Sequence, residues 1–198
     1  MPAPGPPERQ RPRGTLLSDP PKIVPDGSAS QSRLPASLSA ELFEESLHAV
    51  PTIDLRDIGA RLLAPLVRAT GARRASMMLV NPDTGKLRIV AGLGLSPEYI
   101  ARDVDWRPSS ISEWVFRKRQ GLVLNGSVKQ EGLVGTAEGI IESAMCVPLE
   151  TDTQALGVIN VASTGSGPAF TDADMHAVRG MLPPVAAAIE REIGRAHV

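Results

Sequence analysis

One cysteine, three histidines and a few clustered charges are the residues with which this 198-residue chain could do chemistry. Cys146 is the sole thiol, so no internal disulfide can form, and it stands between Met145 and Val147 in an apolar run. A thiol in that setting reads as a small, inert core side chain rather than a nucleophile. Metal binding needs His, Cys or carboxylates clustered at ligand spacing. His48, His176 and His197 are far apart, and neither Cys-x-x-Cys nor His-Glu-x-x-His occurs. Asp103 and Asp105 are close carboxylates without a His or metal partner nearby, and read as solvated charge. Gly92-Leu-Gly94 fails the dinucleotide fingerprint because Pro97 stands where the third glycine belongs. No catalytic constellation emerges, so neither an enzyme nor a metal site is expected, and no cofactor can be named.

What remains is binding. Both tryptophans, Trp106 and Trp114, fall with Ile111 and Val115 before and within one short amphipathic segment, and Tyr99 lies just upstream. With Val90, Met145 and Val147 as an apolar floor, these side chains could line a small-molecule pocket. The competing reading is that they fill a closed core. Arg117-Lys118-Arg119 ends the same segment, where a helix dipole favours positive charge. Arg117 is also the candidate to hold an anionic group of a ligand. With aromatic residues at 3% and a formal net charge of −1, neither a nucleic acid nor an anionic membrane is an expected partner. No apolar run approaches the ~18 residues of a membrane span, and no secretory signal opens the chain, so a cytoplasmic location is expected.

The elements that must position these residues follow from pattern. Residues 1–36 hold nine of the 18 prolines, five basic and three acidic residues, and little large apolar surface. They read as a disordered arm, followed by one domain over 37–198. Leu38, Leu42, Phe43, Leu47 and Val50 predict a helix ended by Pro51. A second is predicted from Ile53 to Ala69, bent at Pro65 and stopped by Gly71. Strands are expected at 74–81 and 86–92, joined by the turn Pro82-Asp83-Thr84-Gly85. Ser110 and Glu113 form a capping-box pattern for a helix through Arg119, followed by a strand at 122–125 and a Gly-rich loop over 126–141. Two Val/Ile-rich strands flank the polar tip Glu150–Gln154, and Thr171, Asp172 and Asp174 open a last helix, expected to be interrupted at Pro183-Pro184.

This order of helix pair, hairpin, capped helix, strand pair and capped helix, over residues 40–195, resembles the GAF domain of bacterial signalling proteins. The resemblance implies an α/β (α+β) fold: an antiparallel sheet of five to six strands, with terminal helices on one face and a pocket on the other. One subset of the family binds cyclic nucleotides through a dispersed Asn-Lys, Phe, Asp-Glu signature. Phe170 and Asp174 match it, but Ser163 and Thr164 replace Asn-Lys and Met175 replaces Glu. The Lys–Asp bridge of that subset cannot form here. Other members use cysteines to attach a bilin or to reduce free methionine sulfoxide, and the lone Cys146 supports neither.

The expected function is a stand-alone cytoplasmic sensor that binds a small molecule and signals through a protein partner or dimer geometry. The alternative is an empty-pocket interaction module acting through its arm or a helical bundle. Val178, Leu182, Val185 and Ile189, at alternating spacings of three and four, together with Leu38 and Leu42, are the expected homodimer interface. With the chain ending just after the last expected helix, no output domain is expected on it.

Overall fold

The computed structural model describes residues 54–101, 103, 110–128, 141–164, 167 and 169–196, apart from the side chains of 126–128 and 196. The arm, the helix expected at 37–50 with Leu38 and Leu42, and most of the 126–141 loop lie outside the described residues.

Helix α1 spans Leu55–Thr70. Asp54 opens it, its carboxylate accepting the Asp57 N–H at 2.8 Å, a side-chain cap that satisfies one of the first-turn donors. Ile58, Leu62, Leu63 and Leu66 recur along one stripe and are buried. Pro65 lies inside the helix without ending it. The carbonyl that loses its donor belongs to Arg61, an exposed residue, so water can take the donor's place. Gly71 closes the helix at φ 67°, a left-handed conformation that costs glycine little.

Strands β1 (Arg74–Val80) and β2 (Leu87–Leu93) form the expected hairpin. Its turn is held by Gly85 N–H to the Asn81 carbonyl at 2.8 Å and by the Asn81 side chain, which accepts the Asp83 N–H at 3.1 Å. After a short 3-10 turn at Pro97–Tyr99, the Ala101 N–H donates to the Ile89 carbonyl, and Asp103 bridges Arg88 on the outer edge of β2. Helix α2 (Ile111–Lys118) is capped by Ser110, whose hydroxyl accepts the Glu113 N–H at 3.4 Å, and Arg119 ends it at φ 55°. Strands β3 (Leu122–Val128), β4 (Ile141–Glu150) and β5 (Ala155–Thr164) follow, and helix α3 runs from Asp172 to Ala196.

The five strands pair antiparallel in the order β2-β1-β5-β4-β3. Alternation along each strand sends Met77, Leu79, Met145, Val147, Ile159 and Val161 to one face, under α1 and α3. It sends Met78, Ile89, Leu122, Cys146 and Val158 to the other, under α2. The fold is thus the expected antiparallel sheet with helices on both sides. One expectation fails: α3 is continuous through Pro183 and Pro184. The carbonyls deprived of donors are those of Arg179 and Gly180, both exposed, while Met181, Leu182, Val185, Ala186 and Ile189 are buried on the sheet. Tertiary packing of that stripe outweighs the roughly 3 kcal/mol that an interior proline costs.

Candidate functional site

The strand registers align Gly92, Ser76, Asn160, Cys146 and Leu122 in one row across all five strands, on the face that α2 covers. A strand face covered by a helix should be apolar, yet the middle of this row is polar. Ser112 is placed above it because the Ser110 cap fixes where α2 starts, and it is fully buried. Its hydroxyl donates to Asn160 Oδ1 at 3.3 Å, and Asn160 Nδ2 donates to Ser76 Oγ at 3.5 Å and lies 3.5 Å from Met78 Sδ. Ser76, Asn160 and Ser112 are at most 7% exposed. They form a polar seam inside an apolar layer. Cys146 lies beside it, and burial pushes its thiol far up, only partly offset by a hydrogen bond with Ser112. It is therefore a neutral, unreactive thiol.

Two halves of this face differ. Over Met78, Ile89, Leu122, Cys146 and Val158, α2 lays down Ile111 and Val115, with Trp114, Phe116, Tyr99 and Ile100 packed around them. On the other side of the seam the floor is made of small side chains: Ser76, Ala144 and Ala162. A cavity of about 20 Å³ opens there, lined by Arg74, Ser76, Leu95, Ile141, Asn160 and Ala162. That is room for one water-sized group against an amide and a hydroxyl.

The GAF domain family model matches residues 52–190. The chain belongs to the GAF domain family. No curated protein matches it at a significant level. Among solved structures, it is similar to the GAF domain of a phosphoenolpyruvate-protein phosphotransferase from Coxiella burnetii, with a TM-score of 0.68 and 14% identity, over 80% of this chain and 95% of that one. The GAF domain of the corresponding Acinetobacter protein gives 0.65 and 16%, over 78% and 92%. The free methionine-R-sulfoxide reductase of Neisseria meningitidis, solved in complex with its substrate, gives 0.59 and 18%, over 80% and 89%. At these identities the likeness is one of fold. The GAF family is a regulatory and signalling one whose fold binds small molecules.

Against this GAF frame, the predicted pocket residues divide. Tyr99, Ile111, Trp114 and Val115 come together around α2. Val90, Met145 and Val147 do not join them: they belong to the opposite layer, under α1 and α3. The strands were placed correctly but the parity was reversed, since neighbouring residues on a strand face opposite ways. The floor beneath α2 is Met78, Cys146, Val158 and Ile89 instead. Arg117 pairs with Glu113 at 2.9 Å one helical turn away, with its side chain 65% exposed, so it points away from the seam's enclosed surroundings. Trp106 lies outside the described residues. Val178, Leu182, Val185 and Ile189, expected at a dimer interface, are at most 3% exposed within the single chain. These four side chains lie in the chain's own core, with the sheet and α1.

Positions of the cyclic-nucleotide signature do structural work here. Asp174 accepts the Thr171 N–H at 3.0 Å and the Thr171 hydroxyl at 2.8 Å, while the Thr171 hydroxyl accepts the Asp174 N–H at 3.1 Å. That reciprocal cap starts α3. Phe170 is tied down by its backbone: its N–H donates to Ser143 Oγ, its carbonyl accepts from Asn125 Nδ2, both at 2.9 Å, and Ser143 also donates to Asn125 Oδ1. Met175 packs where Gly121 lets β3 begin close to α3. Ser163 is buried with no hydrogen-bond partner for its hydroxyl.

Sequence reasoning missed two charged clasps. Asp103 accepts from Arg88 Nε at 2.7 Å, from Asn81 Nδ2 at 3.1 Å and from Thr84 Oγ1 at 3.0 Å. The Arg88 hydrogen bond holds its carboxyl below the usual range against a partial opposing effect of burial, with Thr84 and Asn81 adding to the lowering. Glu150 bridges Arg119 at 2.6 Å and Arg179 at 3.0 Å, joining the end of α2 to α3. Local sequence offered a signal only for the first, through the Asn81-Pro-Asp turn. Among the described residues no group of three or more His, Cys, Asp or Glu could hold a metal, and no helix is long and apolar enough to cross a membrane.

Proposed function

We propose that this GAF domain is a regulatory module, not an enzyme, that receives a small molecule with a polar group at the Ser76–Asn160–Ser112 seam and relays its occupancy to a protein partner. The seam carries the reading. Its three buried side chains hold one another at 3.3–3.5 Å, beyond the ~2.9 Å of a well-made hydrogen bond. Polar groups so placed contribute little to stability, whereas a ligand atom between them can draw in shorter bonds. The amide of Asn160 can donate twice and accept twice, so it suits a ligand carrying both a donor and an acceptor. The small residues beside it leave space at that point, lined also by Leu95 and Ile141, while Trp114 and Tyr99 pack the neighbouring half of the same face under α2. The substrate complex of the Neisseria reductase supports a small-molecule role for the fold. The deeply buried, neutral Cys146 speaks against thiol chemistry at this site.

The smallness of the cavity, about 20 Å³, favours a second reading, an interaction module whose α2 face is filled by its own side chains. A homodimer would use surfaces other than the buried α3 stripe. Native mass spectrometry of the full chain isolated gently from its own cells separates the two readings. Excess mass that vanishes on denaturation, and is missing from Trp114→Ala made in the same cells, supports the sensor. A clean apo mass for the unaltered protein overturns it in favour of the interaction module.

A further inference from the structure

The seam has room beside it for a water-sized group, about 20 Å³, and α2 packs over the same face. A larger ligand enters only if something moves. At eight residues, Ile111–Lys118, α2 is too short to persist on helix propensity and depends on what holds it. Among the described residues two non-glycine residues have positive φ, Ala101 at 67° and Arg119 at 55°, and they stand on either side of α2. A side chain in that left-handed conformation carries strain that glycine escapes. Just beyond Arg119, Gly121 packs so tightly on Met175 of α3 that an added methyl would strike it. The strained joint therefore lies between α2 and a strand that is already seated.

The Arg119 side chain holds that joint closed. Its Nε donates to Glu150 Oε2 at 2.6 Å and its Nη2 to the Thr151 carbonyl at 3.1 Å. The other oxygen of Glu150 accepts from Arg179 of α3 at 3.0 Å. We infer that α2 is a lid over the seam, latched by the Arg119–Glu150 pair and hinged at the Arg119 backbone, whose strain is released on opening. The lid rests on the ligand reading above for its purpose, since it supplies an entry to the site, but not for its motion. Because Glu150 also holds Arg179, the latch that closes the lid is shared with α3, and opening is felt on that helix.

The chain carries its own reporter. Cys146 is the sole thiol and is buried beneath Ile111 and Val115, so it meets a reagent when α2 lifts. The test follows iodoacetamide alkylation of Cys146 in the full chain by mass, at rising urea well below the unfolding transition. The expected rate is nearly independent of urea, because lifting one short helix exposes little surface. Glu150→Gln should react about fivefold faster, which corresponds to the ~1 kcal/mol at the upper end for partly exposed ion pairs. Arg119→Gln, which removes the same pair from the other side, should do likewise. Ile58→Val weakens the core on the opposite face of the sheet and lowers global stability, yet should leave the rate unchanged. Alkylation that climbs with urea from the outset, and that Ile58→Val accelerates as much as Glu150→Gln, overturns the lid, since Cys146 is then reached only by global unfolding. An unchanged rate in both latch variants overturns the latch. Urea-independent, latch-sensitive alkylation in a chain whose native mass is clean apo refutes the ligand reading and leaves the lid standing.

Discussion

Replacing Asn160 by Leu tests the seam most directly. The side chain is 7% exposed, and Leu is close to it in size. The substitution removes the bond from Ser112 Oγ at 3.3 Å and the contacts of Nδ2 with Ser76 Oγ and Met78 Sδ at 3.5 Å. A well-formed hydrogen bond contributes ~0.5–1.5 kcal/mol net, so bonds this long together contribute about 1 kcal/mol. Ser112 keeps Cys146 as a partner. Leu gains in return roughly the transfer free energy of one or two buried carbons, ~0.8 kcal/mol each. The two effects nearly cancel, so stability should change by no more than ~1 kcal/mol and the thermal midpoint by ~2–4 °C. Ligand retention should suffer far more. A ligand polar group left unpaired in the site costs ~1–3 kcal/mol, or about ten- to a hundredfold in affinity. Calorimetry and native mass spectrometry on the same preparation read both quantities. A midpoint drop of ~10 °C would make Asn160 a structural keystone, and undiminished ligand occupancy would place the site elsewhere; either refutes the reasoning.

Ser143→Ala leaves the Phe170 N–H and Asn125 Oδ1 without their Ser143 partner at a position 2% exposed. Stability should fall by about 2–3 kcal/mol, with early loss of amide protection at the start of α3 in hydrogen exchange. Gly157→Ala drives a methyl group into the Met78 carbonyl across the β1–β5 ladder, and should lower the yield of folded protein or the midpoint far more than Gly180→Ala, whose added methyl meets nothing within 4 Å, as thermal scans will show. Asp103 has a depressed folded-state pKa, so its contribution is present above the unfolded value of about 4 and is lost as pH falls through the lower folded one. Exchange protection of the β1–β2 hairpin should be flat from pH 5 to 7 and fall below about 4, and Asp103→Asn should abolish that acid step.

How much of this was legible in the sequence depended on the range of the signal. Caps and turns were: Asp54 aside, Ser110, Thr171, Gly71 and the Pro82–Gly85 turn all act where their local patterns place them. Side-chain parity was not. Cys146 and its neighbours Met145 and Val147 all read as apolar, and nothing local says which faces α2, because both faces of this sheet are covered. The continuity of α3 through two prolines was likewise hidden, since it depends on a buried stripe outweighing a local breaker.

By itself the sequence determined the order of elements, the family, the lack of a metal or disulfide motif and the position of the aromatic cluster, since each of these depends on residues close in the chain. Only the tertiary structure decided what those elements touch. Ser76, Ser112 and Asn160 are single, unremarked residues until strand register and the α2 cap bring them together from 36 and 48 positions apart. The apolar stripe of α3 could have served a partner as well as the core, and Val178, Leu182, Val185 and Ile189 are buried with the sheet and α1 inside the chain. Long-range pairing sets these outcomes because register and layer packing are properties of the whole sheet, which no local window contains.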